Sequence, residues 1–75
     1  MFKYIINKSG TGIIGGAWNA WDAQGIIEDD YLKETAMGDG KRGEWRSDNR
    51  FIVVDHTGHI VLEYTIVEDF TEIYA

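Results

Sequence analysis

Arg50-Phe51-Ile52-Val53-Val54-Asp55-His56-Thr57-Gly58-His59-Ile60-Val61-Leu62-Glu63-Tyr64-Thr65-Ile66-Val67 reads as one β-hairpin, and the rest of the chain is fitted around it. Residues 51–54 are a β-branched run behind a Phe, and residues 60–66 alternate toward their end. Between them, Asp55-His56-Thr57-Gly58 carries Asp at the first and Gly at the fourth position of a type I turn. A two-residue turn at Thr57-Gly58 would need positive φ at both positions, which β-branched Thr resists. A type I turn with Gly58 left-handed in a bulge asks that of Gly alone. This register sets Asp55 opposite His59, Val54 opposite Ile60 and Ile52 opposite Leu62. The core face is then expected to be Ile52, Val54, Ile60, Leu62, Tyr64 and Ile66. Phe51, Val53 and Val61 fall on the other face, with Asp55, His59, Glu63 and Thr65. A one-residue slip would oppose Asp55 to Ile60, so the pattern resists slippage.

Seventy-five residues make one domain, 1–75. A chain of this size buries only about 60% of its extended surface, so its stability leans on aromatic content. Three Trp, four Tyr and three Phe supply that content. With no Cys there are neither disulfides nor thiolate zinc ligands, as suits a reducing, cytoplasmic setting. The apolar start Met1-Phe2-Lys3-Tyr4-Ile5-Ile6 is too short for a secretory h-region, and no run reaches the ~18 apolar residues of a membrane span.

Net charge is −6, unevenly spread. Residues 17–34 hold Asp22, Glu28, Asp29, Asp30 and Glu34 against Lys33 alone, and residues 63–75 hold Glu63, Glu68, Asp69 and Glu72 with no base. Four of the seven bases fall in residues 41–50. Such an acidic surface disfavours phosphate backbones and anionic membranes and favours basic partners, while also keeping a small protein in solution.

Ahead of the hairpin, residues 2–7 read as a strand with Phe2, Tyr4 and Ile6 on one face. Lys8-Ser9-Gly10-Thr11-Gly12 is a turn, and Ile13-Ile14-Gly15-Gly16 is either a short second strand closing a hairpin, the preferred reading, or the flexible entry to a helix. Residues 17–24, with Trp18 and Trp21 three apart, suggest a short helix ended by Gly25 and held by Trp packing. Residues 28–37 suggest a second helix, with Glu28-Asp29-Asp30 in its first turn and Gly38 as its stop. Its sheet-facing residues are expected to be Ile27, Tyr31 and Leu32. Residues 37–49 read as a long loop, and residues 70–74 as an edge strand or docked tail through Phe70 and Ile73. The expected fold is α+β: a three- to four-stranded, mainly antiparallel sheet with one or two short helices. A small all-β barrel is the competing architecture.

No motif carries specific chemistry. Gly10-Thr11-Gly12-Ile13-Ile14-Gly15 spells G-x-G-x-x-G with Asp30 twenty residues on, as in dinucleotide sites. An antiparallel hairpin and 75 residues leave no room for the paired βαβαβ halves such a site needs. His56 and His59 lack a third His or any Cys to complete a zinc site. Ser9 and Ser47 fall in loops, outside any nucleophile elbow. No enzyme activity, metal or cofactor is therefore expected.

Lys41-Arg42-Gly43-Glu44-Trp45-Arg46-Ser47-Asp48-Asn49-Arg50 mixes cations with an aromatic ring, the combination of single-strand nucleic-acid binders, diluted by Glu44 and Asp48. The acids point elsewhere. Carboxylates spaced over one face can imitate a phosphate backbone and dock on a basic, nucleic-acid-binding surface, with an aromatic anchor supplying affinity. Three Trp exceed what so small a core buries, so one is expected to be such an anchor. The expected function is that of a small acidic protein-binding module, an inhibitor or modulator acting through Glu28, Asp29, Asp30, Glu34, Trp45, Glu68, Asp69 and Glu72. In size and charge the chain resembles the host-directed inhibitors that phages encode, a resemblance of type without a shared motif. The alternatives are a single-stranded nucleic-acid binder working through residues 41–50 and an assembly subunit joined by a sheet edge.

Overall fold

The hairpin forms, but with one extra residue in its second strand. The computed structural model describes residues 3–34 and 40–68. In chain order its elements are β1 (Tyr4–Lys8), β2 (Gly12–Ala17), α1 (Ala20–Glu34), β3 (Arg42–Ser47), β4 (Arg50–Val54) and β5 (Ile60–Glu68). The strands form one open antiparallel sheet in the order β2-β1-β5-β4-β3, with α1 against one face. This is the expected α+β class, with five strands among the described residues instead of three or four, and one helix among them. Because the sheet does not close, the barrel alternative is excluded.

The turn of the central hairpin follows the sequence. The Gly58 amide donates to the Asp55 carbonyl at 3.0 Å, and Gly58 sits at φ +89°. Asp55 pairs with His59 through the backbone, and Val54 pairs with Ile60. Next, however, Val53 pairs with Leu62, leaving Val61 as a bulge, so Ile52 faces Glu63 and Phe51 faces Tyr64. In a strand, one added residue exchanges the faces of everything beyond it.

The expected core face is corrected accordingly. Phe51, Val53, Tyr64 and Ile66 meet the helix with Leu62 beside them, whereas Ile52 and Val54 are buried outside that cluster. Ile60 is exposed. Ile52 lies in a cross-strand row between Glu44 and Glu63, which are held by Arg46 and Arg50 at 2.9 and 2.7 Å.

A second correction concerns the helix, which runs unbroken from Ala20 to Glu34 through Gly25. Asn19 starts it: its side-chain oxygen accepts from the Asp22 amide at 2.8 Å, and its carbonyl from the Ala23 amide at 3.1 Å. Ala23 and Ile27, one turn apart, are fully buried, with Ile26 and Tyr31 alongside. That stripe continues through Gly25 because sheet packing outweighs the roughly 1 kcal/mol propensity loss of one Gly. Leu32, expected against the sheet, is instead 61% exposed. Expectations for Phe2, for Met37 and Gly38, and for residues 70–74 fall outside the described residues.

Residues 42–47, expected in a loop, are the edge strand β3. Their signal was the alternation Arg42, Glu44, Arg46 against Gly43 and Trp45, hidden by low hydrophobicity. Gly43 and Trp45 face the Phe51 ring. A Cβ at Gly43 would collide with that ring and crowd Tyr31, whose hydroxyl accepts from the Gly43 amide at 2.9 Å. Trp45, Tyr31 and Tyr64 meet Phe51 edge-on, at centroid distances of 5.0, 5.2 and 6.0 Å. Gly43→Ala should therefore destabilise the protein by about 1–3 kcal/mol in urea unfolding. In a Phe51→Leu background the same change should cost less, and equal costs in both backgrounds would refute the clash.

Candidate partner-binding surface

Two of the three tryptophans lie in and after the β2–α1 connection, and the fold leaves both largely in solvent. Trp21 is 84% exposed and Trp18 58%. Since α1 turns Ala23 and Ile27 inward, Trp21 falls on its outer side. An open groove of about 490 Å³ runs there, with Trp18, Trp21 and Ile26 as its large apolar lining. Gly16 and Gly25 add room, and Asp22 and Asp29 bring negative charge. A second hollow, of about 150 Å³, lies between Trp21, Gln24, Gly25 and Glu28. Trp21 and Gly25 thus belong to both hollows. A large ring with this exposure loses little on ordering and much water on docking, which makes it an anchor type.

The expected acidic residues divide between two roles. Asp30 and Glu34 turn inward to Lys8, at the end of β1. The buried Lys8 ammonium donates to Asp30 Oδ2 at 2.8 Å and to Glu34 Oε1 at 2.6 Å. The fully buried Tyr64 donates its hydroxyl to the same Asp30 oxygen at 2.5 Å, and its ring centroid lies 5.8 Å from the ammonium. Burial alone would lower the Lys8 pKa, but the hydrogen bonds and charges of Asp30 and Glu34 outweigh it and raise it. For Asp30, burial pushes upward, yet the Lys8 and Tyr64 hydrogen bonds prevail and lower its pKa. Burial, then Asp30, push the Tyr64 hydroxyl well above its ordinary value of 10.0. Every group here has a partner, so the cluster ties the helix to β1 and β5.

Glu28 and Asp29 stay on the exposed side of α1. Trp45, expected among the partner-binding residues, is half-buried on Phe51 and donates its indole N–H to Glu28 at 3.3 Å. Glu68 lies 4.0 Å from Lys3, while Asp69 and Glu72 fall outside the described residues. Trp18 and Trp21 stand outside the expected set of site residues, although the count of three Trp left open which of them is exposed. The available signal was position: Trp21 falls outside the Ala23–Ile27 stripe of the helix, and Trp18 precedes its cap Asn19.

The other candidate chemistries take structural forms. Gly10 and Gly12, at φ +79° and +100°, turn the antiparallel β1–β2 hairpin and lead into a strand, not a phosphate-cradling helix. At the β4–β5 tip, Asp55 Oδ1 accepts from the Thr57 hydroxyl and from the Thr57 and His59 amides, and the His59 ring meets Thr57 Oγ1 at 2.8 Å. The Thr57 hydroxyl is the main cause holding the Asp55 pKa down at about 2; desolvation opposes it, and the two amides and the charge of His59 assist. Among the described residues no three His, Asp or Glu side chains are grouped to hold a metal ion. No described helix is long and apolar enough to cross a membrane.

No protein-family model, curated protein or solved structure matches this chain.

The titrating groups set the pH limits of the fold. Asp30 and Asp55 have lowered pKa values, so their stabilisation is present above the ordinary 3.8 and is lost as pH falls through the folded values. Lys8 and Tyr64 have raised values, so their share is present below about 10 and is lost as pH rises beyond it. Urea midpoints should therefore be flat from about pH 5 to 9 and fall on both sides. Asp30→Asn should cost roughly 2 kcal/mol at pH 7 and reduce the acid-side slope; an unchanged slope would deny Asp30 this role.

Proposed function

We propose that this chain is an acidic protein-binding module that docks on a basic surface of a partner and thereby inhibits or modulates it. The observation that carries this reading is Trp21, 84% exposed in a groove bordered by Asp22 and Asp29. An aromatic anchor with carboxylates beside it suits Lys and Arg: their stems lie on the ring and their heads reach the acids. The acidic balance of the whole chain steers such a partner toward it. The finer form of the proposal is a cytoplasmic partner whose basic surface otherwise holds nucleic acid. Asp22, Glu28 and Asp29 then supply the phosphate-like charges, since Asp30 and Glu34 are committed to Lys8.

Gly25 supports the groove as a functional feature. A helix-interior Gly lowers stability, and a Cβ there would meet nothing within 4 Å. Packing among the described residues therefore does not require Gly25, and a side chain there would narrow the groove. The nucleic-acid alternative loses support by comparison. Trp45 is packed on Phe51, and Arg46 and Arg50 are paired with Glu44 and Glu63.

The test is capture of a partner from the native host's lysate by the tagged protein, with nuclease and with low- and high-salt washes. A basic protein should be retained through nuclease and released by salt. Trp21→Ala or Asp29→Lys should lose it, while His56→Ala, in the β4–β5 turn and outside the groove lining, should not. Retention that disappears with nuclease, or that ignores both groove changes, would defeat the proposal. Separately, Gly25→Ala should stabilise the fold by about 0.5–1 kcal/mol, whereas Gly25→Leu should abolish capture without unfolding the protein.

A further inference from the structure

The two edges of the sheet differ in kind. β3 carries Arg42, Glu44 and Arg46 along its length, charges that discourage another strand from pairing with it. β2, the opposite edge, is Gly12-Ile13-Ile14-Gly15-Gly16-Ala17, with no charge and no Pro. A bulge at Ile14, where Asn7 pairs with Ile13 but Ile6 pairs with Gly15, interrupts its register. Residues 15–17 beyond the bulge are regularly paired to β1, and Gly16 and Ala17 line the Trp21 groove.

Among the described residues no strand pairs with that edge, and Gly15 and Gly16 put no side chain on it, so another backbone can approach it closely. The core does not demand Gly15. A Cβ there would touch Ile26 at 3.6 Å, an ordinary contact, and Gly15 has no positive φ. Two adjacent glycines weaken a strand, a cost that close approach of a second backbone would offset.

We propose that the β2 edge at residues 15–17 receives an extended segment of the partner as a sixth strand. The segment would carry Lys or Arg at alternate positions. This rests on the reading above and specifies its docking mode. In a strand, alternate side chains point to opposite faces. On the helix side they enter the groove, where a cationic stem lies along Trp21 and its head reaches Asp22 or Asp29. On the other side they lie beside Ile13, which is 71% exposed and opposite Asn7, and there an aliphatic side chain fits. The occupant is thus basic on one face and apolar on the other. A second copy of this chain fits poorly, because each carries −6 and would bring its own carboxylates to the groove.

The probe is the capped hexapeptide Lys-Val-Lys-Val-Lys-Val, titrated into isotopically labelled full-length protein and followed by amide NMR shifts. Saturable shifts are expected at residues 15–17 and at the Trp21 indole. The Glu-for-Lys peptide should give none at the same concentrations. N-methylation of the peptide's alternate amides, which removes strand pairing without altering charge, should weaken binding about tenfold or more. Trp21→Ala should weaken it about tenfold. Undiminished binding of the N-methylated peptide, shifts located away from β2, or a stable dimer in sedimentation without peptide would overturn the inference. If such a result came with lysate capture that still depended on Trp21, strand pairing would fall and basic-surface docking would stand. Loss of the Trp21 dependence in both experiments would remove both.

Discussion

The extra residue that β5 carries against β4 decides which side chains meet the helix. With Val61 bulged, Phe51 and Val53 turn toward α1 together with Leu62, Tyr64 and Ile66. Phe51 then becomes the junction of three elements, touching Tyr31 of the helix, Trp45 of the edge strand and Tyr64 of the neighbouring strand. Gly43 is small because that ring lies over it. A regular ladder would instead offer Ile52 and Val54 to the helix, with no aromatic junction and no reason for a glycine in β3.

The same face carries a charge. Lys8 enters the interior at the rim of the aromatic cluster, and its position is tolerable because Asp30 and Glu34 meet its ammonium and Tyr64 hydrogen-bonds Asp30. That contact sets the rotation of α1 about its axis. Once Asp30 and Glu34 face the sheet, helical geometry sends Trp21, Glu28 and Asp29 away from it. The internal ion cluster and the external aromatic groove are therefore two sides of one constraint, and disturbing Lys8 should disturb both.

Most of the class was legible in the sequence because it rests on local chemistry. The Asp55–Gly58 turn, the first hairpin and the antiparallel sheet each follow from turn residues and β-branched runs. What was not legible depends on partners distant in the chain. Nothing near Val61 announces a bulge, since the residue that makes it favourable, Phe51 packed on Tyr31 and Trp45, is ten positions away. Gly25 looked like a helix end because the packing that overrides it comes from the sheet. Lys8 looked like a turn residue, its partners lying 22 and 26 positions later. For the site, the composition pointed to an exposed tryptophan. It did not distinguish Trp45, which has an aromatic ring to lean on, from Trp21, whose helix turns it outward.

That division of the tryptophans gives the protein optical reporters of two kinds, Trp45 on the core and Trp18 and Trp21 at the groove. Trp45 sits edge-on against Phe51 with its indole nitrogen held by Glu28, whereas Trp21 stands in water between carboxylates. A cationic quencher such as caesium gathers where Asp22 and Asp29 concentrate it and dims the emission of Trp18 and Trp21 before that of Trp45, and neutral acrylamide reports accessibility without that bias. Occupation of the groove and loosening of the core thus leave different signatures in the fluorescence of the unlabelled chain.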